Sequence, residues 1–508
     1  RQAASFGHLE PAFQTFMELE GGGLEELNRM VEEGTLQLYA WRVRHFTAGA
    51  VEETEVRFSA QGLPFGFRSR LSEETPGDSL TEEEARSLAV RVASTHWGMD
   101  PSLFELLESS QEEQSGGRLD HRFVFERTDL SLGEASLRLR LVVSGNQLTE
   151  VTRFFHVPDA FLRRYQDTRN ANDTIALLGT IAFLLIFLVV GGGVGATHLI
   201  RKGWVEWKAP LVWGGLVAGL MALGTVNALP LAWMSYDTAL PDQVYVATQV
   251  IIACVTFVAG TLLLAMVFLV GEGLMRLGFP DQIQQWKHWS PGVANSTPVL
   301  GRTVGPYLVL GVELAFVVGF YLVMSRYAGW WSPASALAQP DLLATHFPWL
   351  TAVSTSAFAA LSEESIFRAI PIGAAAFLGR KHGKKALWIW GAVILQALVF
   401  GASHANYPQQ PAYARVAEIF PVYLGWGAVC VYFGLVPSII AHFVYDLIFF
   451  SLPLFAADTA GIWVDRGIVI GFGLLPLAVV LVARLRAGGT ATVPERALNR
   501  SWRPKIPT

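Results

Sequence analysis

Cysteine is scarce. The 508-residue chain has two, Cys254 and Cys430, and both sit inside apolar runs. The first 172 residues have none, which excludes a disulfide framework there, and the two thiols are expected to be buried and structural. Charge is scarce as well, at 16% of residues, against about 25% in an ordinary soluble domain. The net charge of −5 comes with no basic patch for a phosphate backbone, so no nucleic-acid partner is expected.

The charge deficit is local. Residues 1–172 are rich in Glu, Arg, Ser and Thr, whereas Ile175 to Arg486 is a series of apolar runs. Two domains are expected, with a basic tail at 487–508 after the membrane part at 173–486. A bilayer core needs about 20 apolar residues per helix. Nine segments qualify: 175–200, 209–234, 244–271, 304–325, 347–379 (broken by polar residues), 386–404, 413–433, 435–455 and 464–483. An α-helical polytopic membrane protein of eight to nine spans follows. Basic residues cluster in alternate connections: Arg201, Lys202 and Lys208; Arg276, Lys287 and Arg302; Arg380, Lys381, Lys384 and Lys385; and the tail with Arg484, Arg486, Arg496, Arg500, Arg503 and Lys505. Loops 235–243 and 456–463 have none. By the positive-inside rule the basic side, including the tail, is cytoplasmic in a plasma or inner membrane, and residues 1–172 are extracytoplasmic. That topology requires an export signal, expected upstream of Arg1.

The N-terminal segment reads as α+β. Alternating strands are expected at Leu38–Phe46, Glu55–Phe58, His121–Arg127, Leu137–Val143 and Leu148–Val157, with a hairpin at Gly145-Asn146. Thr81 and Glu84 form a capping box for a helix running to about His96. A weak repeat relates 41–46, 55–58 and 66–70 to 121–125, 137–140 and 151–154. The pattern resembles PepSY-type extracytoplasmic modules, and implies two related halves. Substrate binding, restraint of the membrane domain or plain anchoring are open roles.

Ionisable residues at membrane depth are costly and point to function. Six fall within a short stretch of the last third. Glu363 and Glu364 precede Arg368 on a helix, where Glu364 and Arg368 share a face and Glu363 points about 100° away. Phe400 and His404 are four apart, as are His442 and Asp446. Glu313 also lies inside an apolar run, where an interhelical contact is expected. Alone, each pattern reads as a helix-end ion pair, an interfacial imidazole or a polar interhelical pair. Together they read as a site, with a buried Glu363 suited to general-base work.

The order Glu-Glu-x-x-x-Arg, Phe-x-x-x-His, His-x-x-x-Asp resembles the CPBP (Abi) intramembrane proteases, which include the Ras-converting CAAX prenyl endopeptidases. The likeness covers roughly Ser354 to Phe450, inside a protease core expected at about 345–455. It implies an endopeptidase that cleaves a membrane-associated protein or peptide. In it Glu363 activates water with His404, while His442 and Asp446 stabilise the oxyanion or hold the site. The family pattern ends in Asn or Asp, and the CAAX enzymes carry Asn where this chain has Asp446. An acid there favours a ligand role, so a divalent ion, zinc foremost, on Glu363, His404, His442 and Asp446 is the alternative to metal-free catalysis. His-Glu-x-x-His, the rhomboid Gly-x-Ser-Gly and the presenilin Gly-x-Gly-Asp are all absent. A catalytically silent scaffold, immunity or sensor protein and a proton-coupled transporter are the competing readings; the substrate and oligomeric state are not written in the sequence.

Overall fold

The computed structural model describes residues 1–334 and 339–502; Arg503 and Lys505 of the expected basic tail lie outside them. The chain forms two compact units, one of Arg1–Gln166 with Ala228–Val250 and Gln339–His346, the other made of the remainder.

The first unit is built on one antiparallel sheet of eight strands: β1 (Gln2–His8), β2 (Tyr39–Phe46), β3 (Glu53–Ser59), β4 (Pro64–Arg70), β5 (Phe104–Glu113), β6 (Leu119–Arg127), β7 (Ser136–Ser144) and β8 (Gln147–His156). Their order is β1-β2-β3-β4-β8-β7-β6-β5. Each half forms its own four-stranded meander, and the two join through their last strands, with Phe67 opposite Val151 and Arg68 opposite Glu150. β1, β4 and β5 were not among the expected strands: β1 and β5 are edge strands, and β4 is paired to β8 at two positions only. β5 is almost wholly exposed and carries Glu, Ser and Gln in place of an apolar alternation, which also discourages edge-to-edge pairing.

Helices cover one sheet face. α1 (Pro11–Leu19) and α2 (Gly23–Glu32), not anticipated, bury Phe13, Phe16, Met17, Leu27 and Met30 with Leu132 and Phe161. α3 (Glu82–Trp97) has the expected capping box and packs Ala85, Ala89 and Ala93 on Phe123, Leu139, Leu141 and Val151. Small residues on α3 let it lie close to the sheet.

Glu10, at the N-cap of α1, is largely buried, and burial pushes its carboxyl up to about 7 against the pull of Arg57 and of a backbone hydrogen bond. A carboxyl raised in the folded state favours folding while protonated. Its contribution is full below about 4.5 and is lost as pH rises through about 7. Glu10→Gln should therefore raise the melting temperature of the detergent-solubilised full chain at pH 8 and leave it nearly unchanged at pH 4. Equal shifts at both values would show that Glu10 does not titrate in this way.

Among the described residues seven helices are long and apolar enough to cross a membrane: α4 (Asp159–Arg201), α5 (Lys208–Asn227), α6 (Asp242–Gly278), α7 (Thr297–Ala328), α10 (Lys385–Ser403), α11 (Ala414–Phe433) and α13 (Ile462–Ala487). Between α7 and α10 the chain runs as α8 (Pro348–Glu364), a π-helical turn (Ser365–Ala369) and α9 (Ile370–His382). α12 (Leu435–Phe450) is apolar but short. The segments expected at 347–379 and 435–455 are thus helical without meeting the length and hydropathy of a single spanning helix. The protein is a multi-pass integral membrane protein with an N-terminal β-sheet unit.

Helix contacts set the site's position. α8 packs against α12, α11 against α10, and α7 against α12. Gly434 joins α11 directly to α12 at φ 94°, a left-handed conformation that disfavours any residue with a Cβ. Cys430 is buried as expected, but Cys254 is exposed. It lies on a face of α6 that also exposes Ile251 and Val255. Lipid is as apolar as a protein core, so an apolar run does not imply burial.

Candidate active site

α8 ends at Glu364, and the π-helical turn that follows carries Arg368 inward. Single-turn π segments recur at functional sites because the extra residue re-aims side chains. Glu364 and Arg368 are both fully buried, 3.1 Å apart. None of the three guanidinium nitrogens has a hydrogen-bond partner among the described residues. Aromatic faces hold Arg368 instead: its guanidinium carbon is 4.2 Å from the Tyr423 ring centroid, 4.9 Å from Phe400 and 5.6 Å from Trp426. A desolvated cation on several ring faces gains about 2 kcal/mol or more.

α12 supplies His442 and Asp446 one turn apart. His442 Nδ1 lies 2.9 Å from Glu364 Oε1. His442 Nε2 faces Asp446 at 3.4 Å and Glu363 at 3.7 Å. Glu364 therefore fixes the imidazole from behind and leaves Nε2 to the other two acids. Nδ1 must carry a proton to bond a carboxylate. Glu363 is the most open acid of the three, its side chain 27% exposed against 14% for Asp446 and 0% for Glu364. Three carboxyls share one guanidinium and one imidazole here. Unpaired buried charge is strongly unfavourable, so the cluster must retain a further proton or cation in its resting state.

His404 caps the C-terminus of α10. Its Nδ1–H donates to the Phe400 carbonyl at 2.9 Å, leaving Nε2 as the lone-pair nitrogen of the neutral ring. The ring stacks on Phe400 with centroids 4.2 Å apart, as the spacing of four predicts. Phe400 also approaches His442, at 6.4 Å, edge on. The two imidazoles thus meet through one phenyl ring. Gly179 of α4 allows the close approach behind this site: a Cβ there would come within 2.3 Å of Ser403 N.

Glu363, Glu364, Arg368, His442 and Asp446 form one contacting cluster, and His404 joins it through Phe400. Among the described residues no group of three or more His, Cys, Asp or Glu side chains is arranged to hold a metal ion. The expected ligand set of Glu363, His404, His442 and Asp446 thus does not fit a metal as these side chains stand.

Several supporting residues escaped the sequence reading. Tyr423 and Trp426 on α11 continue the ring stack from Phe400, and Trp426 lies 5.1 Å from the His442 ring. Glu313 accepts from Trp426 Nε1 at 3.0 Å, the interhelical contact expected of it. A second buried ion pair, Arg415 with Glu418 at 2.8 Å, opens α11, and Tyr321 donates to Glu418. The i,i+3 charge pair leading an apolar run was the signal that would have found it.

No curated protein and no solved structure matches the chain. Residues 345–448 match the family model of the type II CAAX prenyl endopeptidases, Rce1-like, and all six site residues fall inside that stretch. The membrane part of this protein therefore carries an Rce1-like domain at residues 345–448, which supports a CAAX-protease-like intramembrane endopeptidase at the level of the family.

Proposed function

We propose that the protein hydrolyses a peptide bond of a membrane-associated protein or peptide, with Glu363 as the base that activates water. The observation that carries this reading is the asymmetry of the paired acids. Glu364 is sealed between Arg368 and His442, whereas its neighbour Glu363 is open and faces the same imidazole. One acid holds the machinery and the other meets the substrate.

In the reaction, Glu363 takes a proton from water as the oxygen attacks the scissile carbonyl carbon, with His404 Nε2 orienting that water. His442, held by Glu364, donates from Nε2 to the oxyanion. Glu363 then returns its proton to the leaving nitrogen as the C–N bond breaks, giving a carboxylic acid, which ionises to solvent, and an amine. Asp446, an acceptor when ionised, balances the His442 proton. Positioned acid–base groups of this kind contribute about 10²–10⁴-fold each. An apolar cavity of about 480 Å³, lined by Pro306, Val309, Trp426 and Ala441, reaches Trp426, whose ring contacts His442, and suits the apolar part of a membrane-borne substrate. The basic helix ends at Arg201, Arg380–Lys385 and Arg484–Arg486 are assigned to the cytoplasm and the N-terminal unit to the outside.

The test is cleavage by the purified protein in liposomes carrying lipidated and unlipidated transmembrane peptides, with products mapped by mass. The wild type is expected to cut near one membrane surface and His442→Ala to cut nothing. Equal turnover by both would remove His442 from the reaction. Chelation is the companion measurement. Because no step above runs through a metal, dialysis against a chelator should leave the rate unchanged; a loss restored by zinc would replace this mechanism with a metal-assisted one.

A further inference from the structure

The sheet face opposite α1, α2 and α3 is charged, and along β1 it meets the short helical turns of residues 229–235. Register places Arg42 opposite Arg57, Arg44 opposite Glu55, Arg68 opposite Glu55 and Arg70 opposite Glu53 on one side of β2, β3 and β4. With Met234, Ser235 and Tyr236 these side chains line a cleft of about 730 Å³. Five arginines face two glutamates in it. Arg44 is structural: it is salt-bridged to Glu53 and donates to the carbonyls of Trp233, Met234 and Tyr236. Arg57 leans on Glu55 at 3.4 Å, and Arg68 lies 3.6 Å from Glu150. Arg42 and Arg70 are exposed and make no hydrogen bond or ion pair among the described residues; outside the cleft, Arg42 is attracted to the exposed Asp341. The cleft therefore has uncommitted positive charge and the size of a small-ligand site.

Its rim says where it lies. Met234–Tyr236 belongs to residues 228–241, the connection between the spanning helices α5 and α6. α5 has 20 residues, about the length of the hydrocarbon core, so the chain after Asn227 emerges at the membrane surface. Trp233, Tyr236 and Tyr245 cluster there with Phe46 in mutual ring contact. Arginine forks match phosphate oxygens bidentately, and basic pockets beside spanning helices take anionic lipid headgroups.

We propose that this cleft binds the phosphate headgroup of an anionic phospholipid through Arg42 and Arg70, with Arg57 and Arg68 closing on it. The site ties the N-terminal unit to the membrane surface by charge, independently of the protease reading.

The experiment is native mass spectrometry of the full-length protein in detergent, titrated with phosphatidylglycerol or phosphatidylcholine. Wild type is expected to retain phosphatidylglycerol at least tenfold better than phosphatidylcholine, and an Arg42→Gln/Arg70→Gln variant to lose that preference with an unchanged melting temperature. If the double variant is unstable, Arg70→Gln alone, at an exposed side chain, should reduce retention severalfold. Undiminished preference in folded variants overturns the proposal. So does displacement of the lipid by equimolar inorganic phosphate or by a polyglutamate peptide, which would assign the cleft to a soluble anion or an acidic protein.

Discussion

Glu363→Gln is expected to lower kcat for peptide cleavage by about 10²–10⁴-fold while leaving the fold intact, because it removes a general base and no packing. Glutamine keeps the size and polarity of the side chain but cannot accept a proton from water. Glu363 is partly open, and its nearest charged partner is 3.7 Å away, so little structural support rests on it. Glu364→Gln provides the contrast. That side chain is fully buried between His442 and Arg368, and neutralising it leaves Arg368 uncompensated. The Glu364 variant should therefore lose stability as well as activity, and the Glu363 variant activity alone. Thermal unfolding measured beside kcat distinguishes them; a destabilised Glu363→Gln with normal residual turnover would reverse the two assignments.

Arg368→Ala is expected to destabilise the membrane unit by about 3–5 kcal/mol, the usual cost of breaking one half of a buried pair. Two losses combine. Glu364 keeps its buried charge with only His442 against it, and the rings of Phe400, Tyr423 and Trp426 lose the cation they enclose. Arg368→Lys keeps the charge but not the flat guanidinium that lies on those rings, so it should fall between wild type and alanine. The measurement is the unfolding midpoint of each variant in the same detergent. An alanine variant as stable as wild type would show that the aromatic enclosure contributes nothing.

The site was legible because membrane depth makes ionisable residues rare. The four-residue spacings that placed Glu364 with Arg368, Phe400 with His404 and His442 with Asp446 are contacts in the structure. Pairing across helices was not legible. Nothing in the local pattern says that His442 faces Glu364, seventy-eight positions away, because that contact depends on how α8 meets α12. Tyr423 and Trp426 were hidden for another reason: aromatic residues in an apolar helix look like core until a cation is found between them. In the N-terminal unit β2, β3, β6, β7 and β8 were readable from their alternation, whereas the inner strand β4 was not, and β1 and β5, with one side unpaired, needed no such pattern. Cys254 was misplaced because apolar sequence does not distinguish a lipid-facing surface from a protein interior.

The most direct test is cleavage in H₂¹⁸O by wild type and Glu363→Gln side by side, in the same liposomes and with the same transmembrane peptide. The account predicts one ¹⁸O atom in the new carboxyl terminus of the wild-type product and product from the variant at a rate lower by about 10²-fold or more. Labelled product formed at the same rate by Glu363→Gln, or no cleavage by a well-folded wild type across the peptide set, would contradict it.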